Sequence, residues 1–480
     1  MAGVEYPGKR WRMGTTISGT GCNPTACRVF GPYLVKQADR GSLVMRMRHG
    51  VGLFLVLGFA MAGGALPHEA PSRPGVDAPE LAHPGRFQVG VRTIALVDAA
   101  QIDVLAFDPA TGTAPKHDRE LKVDLWYPAD VAADASPETY SGSLPAEPPA
   151  PPTHFTIPGI AVRDASHAAG RFPLVIVSHG YSNAAIAMSW LTENLASKGY
   201  VVAAIHHEDP PLTERSRIAG PLLRRPLDIA FVTRALQRRL AGEGRVDASR
   251  TALIGYSMGG YGVLTSAGGV LDPESPLGQM IPGGLLAPYA RGGEMLDSVR
   301  VTGARAIVAI SPAGGALKAW GTDGLSAVTA PLLLISGDRD WTVDYRTGAR
   351  SFFDMAVNSP RYLLTFRGAG HRIGLGPAPA AMRHRLWDLD WFEDPVWRQD
   401  RIVAINLHMI TAFLDYYVKD DASRVSYLDG LTRESIAGHW PASSDRAYDA
   451  YSPNADGITV WKGFQRQHAE GLELLHEAPR

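Results

Sequence analysis

TALIGYSMGG (residues 251–260) is an apolar run that breaks on Gly255-Tyr256-Ser257-Met258-Gly259 and continues into YGVLTSA (261–267). The first half reads as a strand buried on both faces, the second as the start of an apolar helix. A G-x-S-x-G at such a junction has the form of a nucleophile elbow. The serine occupies a tight, strained turn, and the glycines two residues either side remove Cβ atoms that would collide there. The turn presents the serine hydroxyl at the C-terminal edge of the sheet, where open α/β sheets bind ligands. The five-residue pattern alone recurs by chance, so its weight comes from the strand before it and the helix after it.

Outward from this turn, short β-branched runs alternate with longer amphipathic stretches. PLVIVSH (173–179), YVVAAIH (200–206), ARAIVAIS (304–311), PLLLIS (331–336) and RYLLTF (361–366) read as further buried strands. FQVGVRTIALVD (87–98) and LKVDLWYP (121–128) read as antiparallel edge strands. Val232, Leu236 and Leu240 form one helical stripe, and Ile402, Ile405, Met409 and Phe413 another. Strand and helix in alternation predict a doubly wound, mostly parallel α/β sheet with helices on both faces. The catalytic domain is expected over 87–425, with an extension at 426–480. Three long interruptions stand out as lid-like insertions: 129–170, with EPPAPP at 147–152; 268–303, rich in Gly and Pro; and 374–400, with Trp387, Trp391 and Trp397.

Serine is a poor nucleophile until a base takes its proton, and the base needs an orienting acid. In this fold the chain order is Ser, Asp, His. PLLLISGDRDWTV ends a strand in a loop with Asp338 and Asp340, and RYLLTFRGAGHRIG ends another at His371. Asp340 is the preferred acid, three residues past Gly337. Asp338 is the first alternative, suited to a turn or capping bond, and Asp344 and Asp323 follow. A tetrahedral oxyanion needs backbone N–H donors. Met258, after the serine, is one candidate; Tyr181, in the SHGY loop after the strand 173–179, is the other.

These residues carry a resemblance. FPLVIVSHGYSNAAIAMSWLTENLASKGYVVAAIHHED, GYSMGG and the late AFLDYYVKDD are similar to the platelet-activating-factor acetylhydrolase and dienelactone-hydrolase-like branch of the α/β-hydrolases. The likeness extends over residues 87–425 in the order of elements. It implies the α/β-hydrolase fold and ester hydrolysis, with two departures. Dienelactone hydrolases carry cysteine where this chain has Ser257. The plasma acetylhydrolase takes its acid from the strand after the elbow helix, which here ends in Ser311-Pro312. The order ISP, SGDRD, GAGH instead resembles cutinase-like polyester hydrolases, with the acid at Asp340. Phospholipid specificity is therefore not implied.

With 480 residues, 45% hydrophobic, 20% charged and a net charge of −1, the composition supports a large core. It asks for no nucleic acid or acidic membrane partner. Cys22 and Cys27 have no neighbouring histidine or cysteine pair, so no metal is expected, and no cofactor is implied. Arg46, Arg48 and His49 precede VGLFLVLGFAMA (51–62) and the small residues Gly63, Gly64 and Ala65. That is the form of a secretory signal peptide at 45–65, and the run is short of the ~20 residues of a spanning helix. Residues 1–44 are then a leader or an over-extended start. The mature chain begins near Leu66 with a flexible lead-in at 66–86, and is exported to the periplasm or secreted.

Other features carry weaker signals. His206-His207-Glu208-Asp209 resembles a metal cluster, but adjacent residues at a strand end alternate faces and do not converge on one ion. Arg224-Arg225 with Arg234, Arg238 and Arg239 reads as a solvated helix face. The tryptophans at 387, 391 and 397 would pack an insertion onto the sheet or line a pocket. The function expected is carboxylic ester hydrolysis through an acyl-Ser257 intermediate on a small or lipid-like substrate. Acyl transfer or perhydrolysis on the same triad, and lipase- or cutinase-type activity, are the alternatives; a non-catalytic binding role fits a complete triad poorly.

Overall fold

The computed structural model describes residues 74–440 and 457–480, all within the compact unit Pro67–Arg480. The expected leader, signal peptide and first part of the lead-in lie outside the described residues.

The strands in chain order are β1 (Gln88–Ile102), β2 (Lys116–Asp130), β3 (Thr139–Leu144), β4 (Thr153–Pro158), β5 (Val162–Arg163), β6 (Ser166–His167) and β7 (Phe172–Ser178). They continue as β8 (Val201–Ile205), β9 (Val246–Tyr256), β10 (Ala304–Ile310), β11 (Leu332–Gly337), β12 (Arg361–Phe366) and β13 (Leu472–Glu477). One sheet runs in the order β13-β12-β11-β10-β9-β7-β8-β2-β1-β5, with β6 beside β2. The neighbours from β8 through β7, β9, β10 and β11 to β12 are parallel, whereas β2 joins β8, β1 joins β2 and β13 joins β12 antiparallel.

Side chains of each central strand divide between two apolar layers because alternate residues point to opposite faces. From β9, Ala252, Ile254 and Tyr256 enter one layer, with α1 (Ser189–Ser197) and the long helix Gln399–Tyr417. Leu253 enters the other, with α2 (Ala219–Gly242) and α3 (Met258–Ser266). Burying one such aliphatic side chain is worth about 1.5–3 kcal/mol. Continuous apolar runs are thus what a sheet covered on both faces requires.

Several expectations need correction. The stretch 129–170, expected as a lid-like insertion, carries regular structure: β3 and β4 pair as a hairpin, and Tyr140 and Phe155 are buried in the α1-side core. The insertion 268–303 sinks Leu277, Ile281, Leu286 and Tyr289 into the α2-side core. Residues 426–480 are not a mere extension, since β13 completes one edge of the sheet, where Leu472 and Leu474 are buried. The lead-in is docked by its last residues. Ala82 is fully buried, and the Glu80 N–H donates to the Gly463 carbonyl. In the segment 374–400, the Trp387 and Trp391 indoles both donate to the Pro145 carbonyl, fastening it to the hairpin. Trp397 donates to the Arg367 carbonyl and packs edge-on against Phe366. Among the described residues no helix is long and apolar enough to cross a membrane.

Candidate active site

β9 ends at Tyr256 and α3 begins at Met258, so Ser257 alone makes the turn. Its backbone has φ 55° and ψ −114°, a conformation that L residues reach only under strain of about 1–3 kcal/mol. Three backbone bonds hold it there. The Ser257 N–H donates to Ile310, and its carbonyl accepts from Tyr261 and Ala313. The glycines have steric reasons. A Cβ on Gly255 would lie 2.1 Å from the Gly259 carbonyl oxygen, and one on Gly259 would lie 1.9 Å from the Ser178 carbonyl oxygen. Either contact is impossible without moving backbone.

Next to this turn the structure places His371, just past β12, and Asp340, just past β11. His371 Nε2 lies 3.0 Å from Ser257 Oγ, and His371 Nδ1 lies 2.7 Å from Asp340 Oδ2. The other Asp340 oxygen accepts the Thr342 and Val343 N–H groups. Burial alone would raise the Asp340 pKa. The bond from His371, its charge when protonated, and the two backbone donors outweigh that and hold the carboxyl below its ordinary value. All three side chains are buried. The other aspartates go elsewhere. Asp338 accepts the Gly368 N–H, Asp344 accepts from Thr347, and Asp323 pairs with Arg291.

The loop after β7 lies against the elbow, since a Cβ on Gly180 would be 3.4 Å from the Ser257 Cβ. Tyr181 follows that glycine. Met258 opens α3, so its N–H belongs to the first turn, where donors have no partner within the helix and the helix dipole is positive. The two N–H groups expected to face an oxyanion therefore sit on the two segments that meet at Ser257.

Supporting residues went unread in the sequence. The histidine turn is pinned at three points: Asp394 accepts the Gly370 N–H, Tyr256 donates its hydroxyl to the His371 carbonyl, and Asn406 donates to the Ile373 carbonyl. Arg224 and Arg225 are not on a solvated face; both are buried. Arg119 makes two bonds to Asp228, which also accepts from His207. His207 bonds to Ser178, and burial beside Arg225 and Arg119 holds its pKa well below the ordinary value. His206 instead turns to Asp124, so the neighbouring histidines diverge. A signal for the buried arginines was present: PLLRRPLDIA (221–230) sets its charges among apolar residues, with Asp228 one turn on.

Comparison with known proteins bears on the same segment. The family model described as PET hydrolase-like matches residues 159–278, from before β7 to beyond the elbow helix. Cutinase est2 of Thermobifida alba is 36% identical over 93 residues, 19% of this chain and 29% of that protein. Cutinase 2 of Thermobifida cellulosilytica is 28% identical over 198 residues, 41% of this chain and 59% of that protein. The chain thus spans less than two thirds of the length of these relatives. Among solved structures, a ferulic acid esterase from Streptomyces cinnamoneus aligns over 72% of this chain and 94% of its own, with 21% identity and a TM-score of 0.46. The mostly parallel sheet with helices on both faces and the strained serine turn have the form of an α/β-hydrolase fold, and across its elbow the chain is similar to PET hydrolase-like proteins and to cutinases.

Proposed function

We propose that this protein is a serine-dependent carboxylic ester hydrolase with Ser257 as nucleophile, His371 as general base and Asp340 as the acid that orients it. The carrying observation is the buried series Ser257–His371–Asp340, joined at 3.0 and 2.7 Å on a serine held at positive φ. His371 takes the hydroxyl proton as Ser257 Oγ attacks the ester carbonyl. The negative charge that forms on the carbonyl oxygen is met by the N–H groups of Met258 and Tyr181. When the intermediate collapses, the C–O bond to the alcohol breaks and His371 returns the proton to the departing oxygen. Water, deprotonated by His371 in turn, then frees the acid and restores Ser257. Asp340 accepts the Nδ1–H throughout, which leaves Nε2 as the atom facing the serine.

The similarity to cutinases across the elbow supports a cutinase-type ester as substrate. The signal-like segment at 45–65 supports export to the periplasm or beyond. The test is a p-nitrophenyl ester series from acetate to palmitate with a fluorophosphonate probe. Wild type should turn over at least one ester and carry the adduct on the peptide containing GYSMGG. Ser257→Ala should lose both while keeping its melting temperature. Wild-type turnover by that variant, or an adduct on another serine, refutes the assignment.

A further inference from the structure

The side chain that fixes the loop carrying Tyr181 is an arginine from a helix outside the triad. Arg225, on α2, has 1% of its side chain exposed and points into the back of the 179–182 loop. One terminal nitrogen donates to the His179 carbonyl and to Ser178 Oγ; the other donates to the Gly180 carbonyl at 3.1 Å. The same guanidinium forms a two-pronged pair with Asp209, whose carboxylate is 4% exposed. Asp209 in turn accepts the Ser182 N–H at 2.9 Å, and Ser182 is held at φ 52°, in the left-handed region. His179 adds a ring bond to the Gly180 carbonyl at 2.7 Å. Burial and the Arg225 charge keep that ring neutral by pushing its pKa well below the ordinary value.

These bonds bracket Tyr181 on both sides. In a planar trans peptide the C=O and the following N–H point in opposite directions. Anchoring the Gly180 carbonyl to Arg225 and His179 therefore turns the Tyr181 N–H away from α2. Anchoring Ser182 to Asp209 stops the next peptide from rotating back. A strained residue persists only where its surroundings over-determine it, and Asp209 supplies that at Ser182.

We propose that Arg225, through its buried pair with Asp209, is the positioning residue that aims the Tyr181 N–H at the oxyanion. This rests on the serine-esterase reading above. Arg225 touches neither substrate nor the reacting atoms, so its effect belongs to the transition state. Lysine keeps the charge but cannot hold two carbonyls and a carboxylate in one plane.

The test compares wild type, Arg225→Lys and Asp209→Asn using a p-nitrophenyl ester and an alkylboronic acid, whose tetrahedral adduct on Ser257 places an oxygen where the oxyanion forms. Arg225→Lys should lower kcat about 100-fold, the scale of a lost oxyanion donor, with KM within threefold. Its inhibition constant for the boronic acid should rise by a similar factor. Asp209→Asn should move the same two quantities in the same direction by a smaller factor, and it serves alone if Arg225→Lys does not fold. An active wild type with kcat and boronate affinity unchanged in the folded variants overturns the inference alone. Equal loss of all activities in proportion to unfolded protein also overturns it. A wild type with neither turnover nor boronate binding removes the esterase reading, and the inference with it.

Discussion

Gly259→Ala probes the contact on which the site is assembled. The added methyl would stand 1.9 Å from the Ser178 carbonyl oxygen, 2.5 Å from the Ser178 carbonyl carbon and 2.9 Å from the His179 carbonyl oxygen. All three are backbone atoms at the end of β7, so no side chain can swing aside. Ordinary contact begins near 3.4 Å, so the elbow and the end of β7 must part by about 1.5 Å. β7 leads directly into Gly180 and Tyr181, and the loop moves off the serine with it. A displacement of about 1 Å at a catalytic group lowers rate about 100-fold, or roughly 2.7 kcal/mol of barrier. Overpacking should also lower stability by about 1–3 kcal/mol. Steady-state turnover of p-nitrophenyl butyrate and thermal melting measure the two effects. Gly242→Ala is the control: it lies at the end of α2 with open space around its would-be Cβ, and should keep full activity. Wild-type kcat in Gly259→Ala would refute the steric account of the elbow.

Asp340→Asn should lower kcat by about 10⁴ with little change in KM, whereas Asp338→Asn, which holds only a turn, should stay within about tenfold. Because the Asp340 pKa is lowered on folding, its stabilisation is present above the unfolded value near 3.9 and is lost as pH falls through the folded value. Urea unfolding at pH 6 and pH 3 should therefore show the stability gap between wild type and Asp340→Asn shrinking at the lower pH. Leu474→Asp should lower the melting temperature by several degrees, since it buries an unpaired charge at the β13 edge. N-terminal sequencing of exported protein should find a start between residues 61 and 68, and an active cytosolic species retaining Met1 would contradict the signal peptide.

What could be read from the sequence followed the burial pattern of each element. β12 coincides with RYLLTF, and β7, β8, β10 and β11 lie within a residue or so of their apolar runs, because strands covered on both faces are apolar without interruption. The Ser257, Asp340 and His371 positions were legible because each follows such a strand at one sheet edge. β13 was not. LELLHE is short, and its partner lies more than 100 residues away, so nothing local marks the pairing. The hairpin β3–β4 was hidden by the proline cluster in its connection, and Arg225 by its residue type. A guanidinium is assigned to solvent by default; the apolar residues flanking it in PLLRRPLDIA argue for burial, but nothing local says that two carbonyls and Asp209 converge on it.

β13 also sets a schedule. Its six residues pair with the whole of β12, from Arg361–Glu477 to Phe366–Leu472, and His371 stands at the first turn after that strand. Synthesis runs from the N-terminus at about 5–20 residues per second, and domains tend to fold as they appear. The sheet from β1 to β12 can thus assemble while β12 still offers an unpaired row of N–H and C=O groups to any passing strand. Only when residue 477 has been made can the chain close that edge with its own strand. A nascent or truncated copy would hold its histidine on an open edge, where aggregation competes with completion, and transport across a membrane before folding would bring both edges to the far side together.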